Sequence, residues 1–88
     1  MLILNQRKDK VFNLDMVESI EVGYEIGKPY SVRAVFERQW DCEPRQWASE
    51  KLGEYKSSLV AEYVIKSIYD AYAQESRCFM MPEDTPDA

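Results

Sequence analysis

SSLVAEYVIKSIYDAYAQES, residues 57–76, is the stretch at which the pattern of the chain changes. Before it, apolar residues tend to alternate with polar ones. From Ser57 onward they recur as Ala61, Val64, Ile65, Ile68 and Tyr72, at i, i+3, i+4, i+7 and i+11. That spacing lays one apolar stripe along a helix and predicts that these five residues face the core. Ser57 or Ser58 suits the N-cap, because a hydroxyl there accepts from an otherwise unpaired backbone N–H. Glu62, Lys66, Asp70 and Glu75 fall toward the outer side, with Glu62 in the favourable order four residues before Lys66. Neither glycine nor proline interrupts this segment before Pro82. Of its tyrosines, Tyr72 is expected in the core, and Tyr63 and Tyr69 partly exposed.

Working outward, the preceding chain reads as strands. MLILNQ opens with a strand, RKDK is a polar turn, and VFNL is a short second strand interrupted by the turn formers Asn13 and Asp15. In VESIEVGY (17–24), Ile20, Val22 and Tyr24 alternate with Ser19, Glu21 and Gly23. YSVRAVFE (30–37) alternates again, with Tyr30, Val32, Ala34 and Phe36 on one face and Val35 as the exception on the other. Gly27 and Pro29 lie between these runs, which predicts an antiparallel hairpin. Residues 38–48 are irregular, and Pro44 bars a continuous central strand through them. SEKLGEY (49–55) is a further strand. Strands followed by one long helix define an α+β fold. The expected architecture is a bent antiparallel sheet of about five strands, covered by the C-terminal helix. The greasy RCFMMP after the helix is then a short closing strand along an edge of that sheet, ended by Pro82. Residues 1–82 form one domain, and the acidic residues 83–88 are expected to be a disordered tail.

Three pieces of the chain, LILNQRKDK, LGEYKSSLVAEYVI and FMMPED, resemble a group of small uncharacterised proteins of Gram-positive bacteria and their phages. The matching residues are Gln6, Lys8, Leu52, Gly53, Tyr55, Ser57, Ala61, Val64, Met81, Pro82 and Glu83. The resemblance covers about half the chain and leaves residues 38–48 outside it. It implies an α+β fold and a phage or mobile-element origin. It brings no assigned activity and therefore no catalytic residues.

With 88 residues, the chain has room for one modest core, and 45% hydrophobic composition is enough to fill it. The net charge of −5 argues against a phosphate-neutralising surface, and equally against an anionic membrane. The apolar start MLIL ends at Asn5, too short for a secretory h-region, and no run approaches transmembrane length. Two cysteines and no leader read as a reduced, cytoplasmic protein, with a Cys42–Cys78 bridge left open.

The residues that usually carry chemistry are scarce. The chain has no histidine, which removes the commonest general base and most zinc sites. Cys42 lies between Asp41 and Glu43, whose charges disfavour a thiolate. Cys78, followed by Phe79 and Met80, reads as a small buried hydrophobe. Asp15, Glu18 and Glu21 have no cation-loop spacing and read as a solvated face. No catalytic residue, metal ligand or cofactor is expected.

ERQWDCEPRQW is the segment with interface composition. Arg38, Trp40, Arg45 and Trp47 combine the residue types that anchor protein interfaces. Trp47 leads into a strand and favours the core, whereas Trp40 fits core and interface equally. The expected function is thus a non-enzymatic adaptor whose partner is a protein or a second copy of the chain, without nucleic acid or membrane. The competing reading is a small enzyme or ligand carrier with a pocket between helix and sheet.

Overall fold

The computed structural model describes residues 1–38 and 46–84. Its order is β1 (Leu2–Leu4), β2 (Val11–Asn13), a single 3₁₀ turn (Leu14–Met16), β3 (Ser19–Gly23), β4 (Tyr30–Arg38), β5 (Gln46–Tyr55), α1 (Ser58–Ala73) and β6 (Cys78–Met80). The α+β class holds, with a helix where the periodicity changes. The expected single five-stranded antiparallel sheet does not. Two three-stranded sheets form instead, ordered β2-β1-β6 and β3-β4-β5. The chain leaves the first sheet at Asn13, whose side chain accepts from the Asp15 N–H at 3.0 Å and winds the next three residues into the 3₁₀ turn. With only three residues each, β1 and β2 end before they can join β3.

Helix α1 starts as its sequence dictates: the Ser57 hydroxyl accepts from the Leu59 N–H at 3.2 Å. Ala61, Val64 and Ile68 are buried, and Ile65 is half-buried beside them. Tyr72, expected in the core, is 58% exposed and lines an open concavity with Leu14 and Asp15 of the 3₁₀ turn. The helix closes at Ala73, with Glu75 N–H bonded to Tyr72 C=O and Ser76 N–H to Ala71 C=O, both at 3.0 Å. This 5→2 and 6→1 pair requires a left-handed residue at Glu75, whose φ is 60°. On the outer face Lys66 pairs with Asp70 at 3.7 Å, rather than with the expected Glu62.

The β3–β4 hairpin turns through Gly27 at φ 80°. Its ladder pairs Ile20 with Ala34 and Val22 with Val32. β4 and β5 form a longer ladder than the sequence suggested, reaching Glu37↔Trp47 and Arg38↔Gln46. β4 ends at Arg38 and β5 begins at Gln46, and Pro44 lies outside the described residues. A bulge opposite Val32/Arg33 leaves Leu52 without a partner residue, and both Leu52 and Gly53 are buried. Adding one residue shifts the alternation, so Tyr55 also points inward and is fully buried.

The closing strand is present but runs parallel to β1, with Leu2↔Cys78 and Leu4↔Met80. The helix explains the direction. It begins where Tyr55 meets Pro82, beyond the end of β1, and finishes where Ala73 and Glu75 lie beside Met1. The strand that follows therefore retraces β1. Alternation then splits the greasy run: Phe79 is half-buried and Met81 is 1% exposed, while Cys78 and Met80 face outward. Cys78 is thus an exposed free thiol, not the buried hydrophobe expected.

Besides the shared core and the Lys10–Glu50 ion pair at 2.5 Å, two contacts join the sheets among the described residues. Phe12 of β2 packs on Phe36 of β4, their ring centroids 6.3 Å apart. In the other, Gln6 bridges to the edge of β5. Its N–H donates to Leu52 C=O at 2.8 Å, and its side-chain amide exchanges both hydrogen bonds with the backbone of Glu54. The same amide donates to Pro82 C=O at 3.3 Å, which also accepts from the Tyr55 hydroxyl at 2.6 Å. A Cβ on Gly53 would lie 3.1 Å from the Tyr55 hydroxyl and 3.3 Å from the Gln6 Cβ, so this junction closes tightly over a glycine. Several residues of the motifs quoted above, namely Gln6, Gly53, Tyr55, Met81 and Pro82, meet here as a structural clasp.

Candidate functional site

The three strands of β2-β1-β6 alternate in phase. Ile3 pairs with Phe12 on one side and Phe79 on the other, and this row faces the core. The flanking rows are Leu2 with Asn13 and Cys78, and Leu4 with Val11 and Met80; they face away from it. Leu2 is 46%, Val11 55% and Met80 59% exposed, and with Leu4 and Cys78 they line one shallow concavity. An apolar sheet face therefore stands open to solvent.

The outer face of β3-β4-β5 differs. Across it runs the row Glu21, Arg33, Lys51. Arg33 Nε donates to Ser31 Oγ at 3.1 Å and its Nη1 to Ser49 Oγ at 3.4 Å, while Lys51 pairs with Glu54. Both sheets are thus apolar within, but only the larger one is polar without. A half-solvated antiparallel sheet normally shows the second pattern.

A second apolar surface lies between the end of α1 and the chain entering β3. Leu14, Ile20, Ile65 and Ile68 floor a groove of about 400 Å³, with Tyr69 and Tyr72 along one side and Asp15 on the other. It coincides with the helix-and-sheet location named by the competing reading.

The sequence-predicted interface residues divide into two pairs. Arg38 and Trp47 belong to the paired ends of β4 and β5, on neighbouring rungs of the ladder. Trp40 and Arg45 lie outside the described residues, as does Cys42. Asp15, Glu18 and Glu21 are exposed, and among the described residues no cluster of three metal-ligating side chains is gathered. Burial, aided by the nearby Asp84 carboxylate, pushes the Tyr55 hydroxyl pKa up to about 12. That hydroxyl is held by Pro82 in the clasp and does not face either apolar surface.

Leu2, Leu4 and Val11 were not singled out by sequence, and Cys78 was expected to be buried. The signal was present in LIL and CFMM, which are apolar at every position instead of every second one. A strand apolar on both faces is either buried on both or leaves one bare. No helix among the described residues is long and apolar enough to cross a membrane. Comparison of the chain with protein-family models, curated proteins and solved structures finds no match.

Proposed function

We propose that the chain is a small non-enzymatic interaction module that docks a partner protein on the outer face of β2-β1-β6. The observation that supports this reading is the exposure of Leu2, Val11 and Met80 on one face of a sheet whose other face is already filled. Leaving such a face in water forgoes roughly 25 cal/mol for each Å² of apolar area that a partner would cover.

The charge of the chain favours a heterologous partner over a second copy, because the net charge of −5 sets two copies against each other. Three strands of three residues span about 10 Å by 14 Å. A stable interface takes on the order of 800 Å² from each partner, so the face would be the apolar centre of a wider contact. A face of this size suits an apolar element projecting from another protein.

Cys78 lies within the face and offers a direct test. A photo-crosslinker attached there, in a Cys42→Ser background, is expected to give one discrete heterologous adduct in extract of the native host. Val11→Lys with Leu2→Lys should abolish the adduct while the protein still melts cooperatively. An adduct that survives both lysines, or one composed only of the chain itself, would contradict the reading.

A further inference from the structure

The groove beside the helix end has a chemistry that the sheet face lacks. Its floor, Leu14, Ile20 and Ile65, is aliphatic; Tyr69 and Tyr72 stand along one side; Asp15 stands on the other. Asp15 is its one charged lining residue among those described. The Asp15 backbone is fixed by the Asn13 cap, so its position on the lip is set by the 3₁₀ turn. No described cation pairs with its carboxylate.

The volume, about 400 Å³, falls in the range of small-molecule sites. The walls do not enclose it, however, since Tyr69 is 72% and Tyr72 58% exposed. Small-molecule sites bury most of their ligand's surface. An open groove of this kind instead suits one side chain delivered from a larger body.

We propose that this groove receives an arginine or lysine side chain of a partner protein. Such a side chain carries an apolar stem and a charged head, and it buries the first while keeping the second wet. Here the stem lies along Leu14, Ile20 and Ile65. The head meets the Asp15 carboxylate and the faces of Tyr69 and Tyr72, which attract cations through the ring quadrupole. Charge complementarity supports the assignment: the lining bears a negative charge and no positive one, and the whole chain carries −5. The same charge disfavours a second copy as the donor.

This inference shares the premise that the chain is an interaction module, but it concerns a different surface, and its test needs no cellular partner. Amide resonances of the ¹⁵N-labelled protein are followed during titration with four acetylated, amidated pentapeptides, Ala-Leu-X-Ala-Leu with X as Arg, Lys, Gln or Glu. The Arg and Lys peptides should shift residues 14–20 and 65–72, with affinity about two- to fivefold above that of the Gln peptide. The Glu peptide should bind most weakly. Asp15→Asn should reduce the preference for Arg over Gln without weakening the Gln peptide. Tyr69→Leu with Tyr72→Leu, which keeps the groove apolar, should reduce Arg binding by a similar factor. Raised salt should weaken the Arg and Lys peptides alone. Equal affinities across the four peptides would overturn the proposal. So would shifts confined to Leu2, Val11 and Met80, no shifts at millimolar peptide, or the same shifts on concentrating the protein without peptide.

Discussion

Tyr55 shows how one residue can hold two sheets and a terminus together. Its ring is fully buried and its hydroxyl donates to Pro82 C=O. Burial raises its pKa to about 12, against 10.0 for an exposed tyrosine. Because the unfolded chain gives up this proton first, stability is unaffected below pH 10 and falls as the pH climbs toward 12. Replacing Tyr55 with Phe should cost about 1 kcal/mol at neutral pH and flatten this alkaline decline. Urea midpoints at pH 7, 10 and 11.5 would show both effects. An unchanged alkaline slope would mean that another group is responsible. Glu75 gives a prediction of opposite sign. It closes the helix at φ 60°, a conformation that disfavours a side chain by about 1 kcal/mol or more. Glu75→Gly should therefore raise the urea midpoint, and a fall would show that the Schellman turn is not formed. The turn was not legible in the sequence because its left-handed position is taken by glutamate, where glycine would have announced it.

At the scale of the element, the helix, β3 and β4 were legible for the same reason: each buries one face, and one buried face leaves a period. Ile68 lies 4% exposed at the centre of the apolar stripe, so Ile68→Asp should unfold the domain, while Tyr63→Asp on the exposed side should melt like wild type. Circular dichroism melts of the two variants would separate them. The closing strand gives a second contrast. Truncation after Asp84 keeps Met81 in the core and the Asp84 bond to the Lys56 N–H, and should be harmless. Truncation before Cys78 removes β6 and Met81 together, and should lower the melting temperature sharply. Equal melting of the two would refute the strand's role. Periodicity does not reveal which strands share a sheet. That division was set by the side-chain cap of Asn13, by the amide of Gln6 reaching the β5 edge, and by a helix long enough to return the chain to Met1. These are long-range or conformational facts, and none of them leaves a period. The bulge at Leu52 is of the same kind: Leu-Gly marks it only once the register with Val32 is known.

For the whole molecule, the division into two sheets changes which surfaces are left over. A single covered sheet would have had one solvated face, and β3-β4-β5 supplies it with Glu21, Arg33 and Lys51. The smaller sheet adds an apolar one. The candidate site was thus legible as composition, in LIL and CFMM, but not as a place. Those two segments are separated by most of the chain and meet only through the parallel pairing of β1 with β6. The adjacent methionines test this account most directly. Met80 is 59% exposed on the proposed docking face, whereas Met81 is 1% exposed in the core. Thermal melting and crosslinked capture from host extract should be measured on Met80→Lys and Met81→Lys side by side. Met80→Lys should melt within a few degrees of wild type and lose the captured partner. Met81→Lys should fail to fold. If Met80→Lys unfolds as well, or folds and keeps the partner, the open sheet face is not the interaction surface.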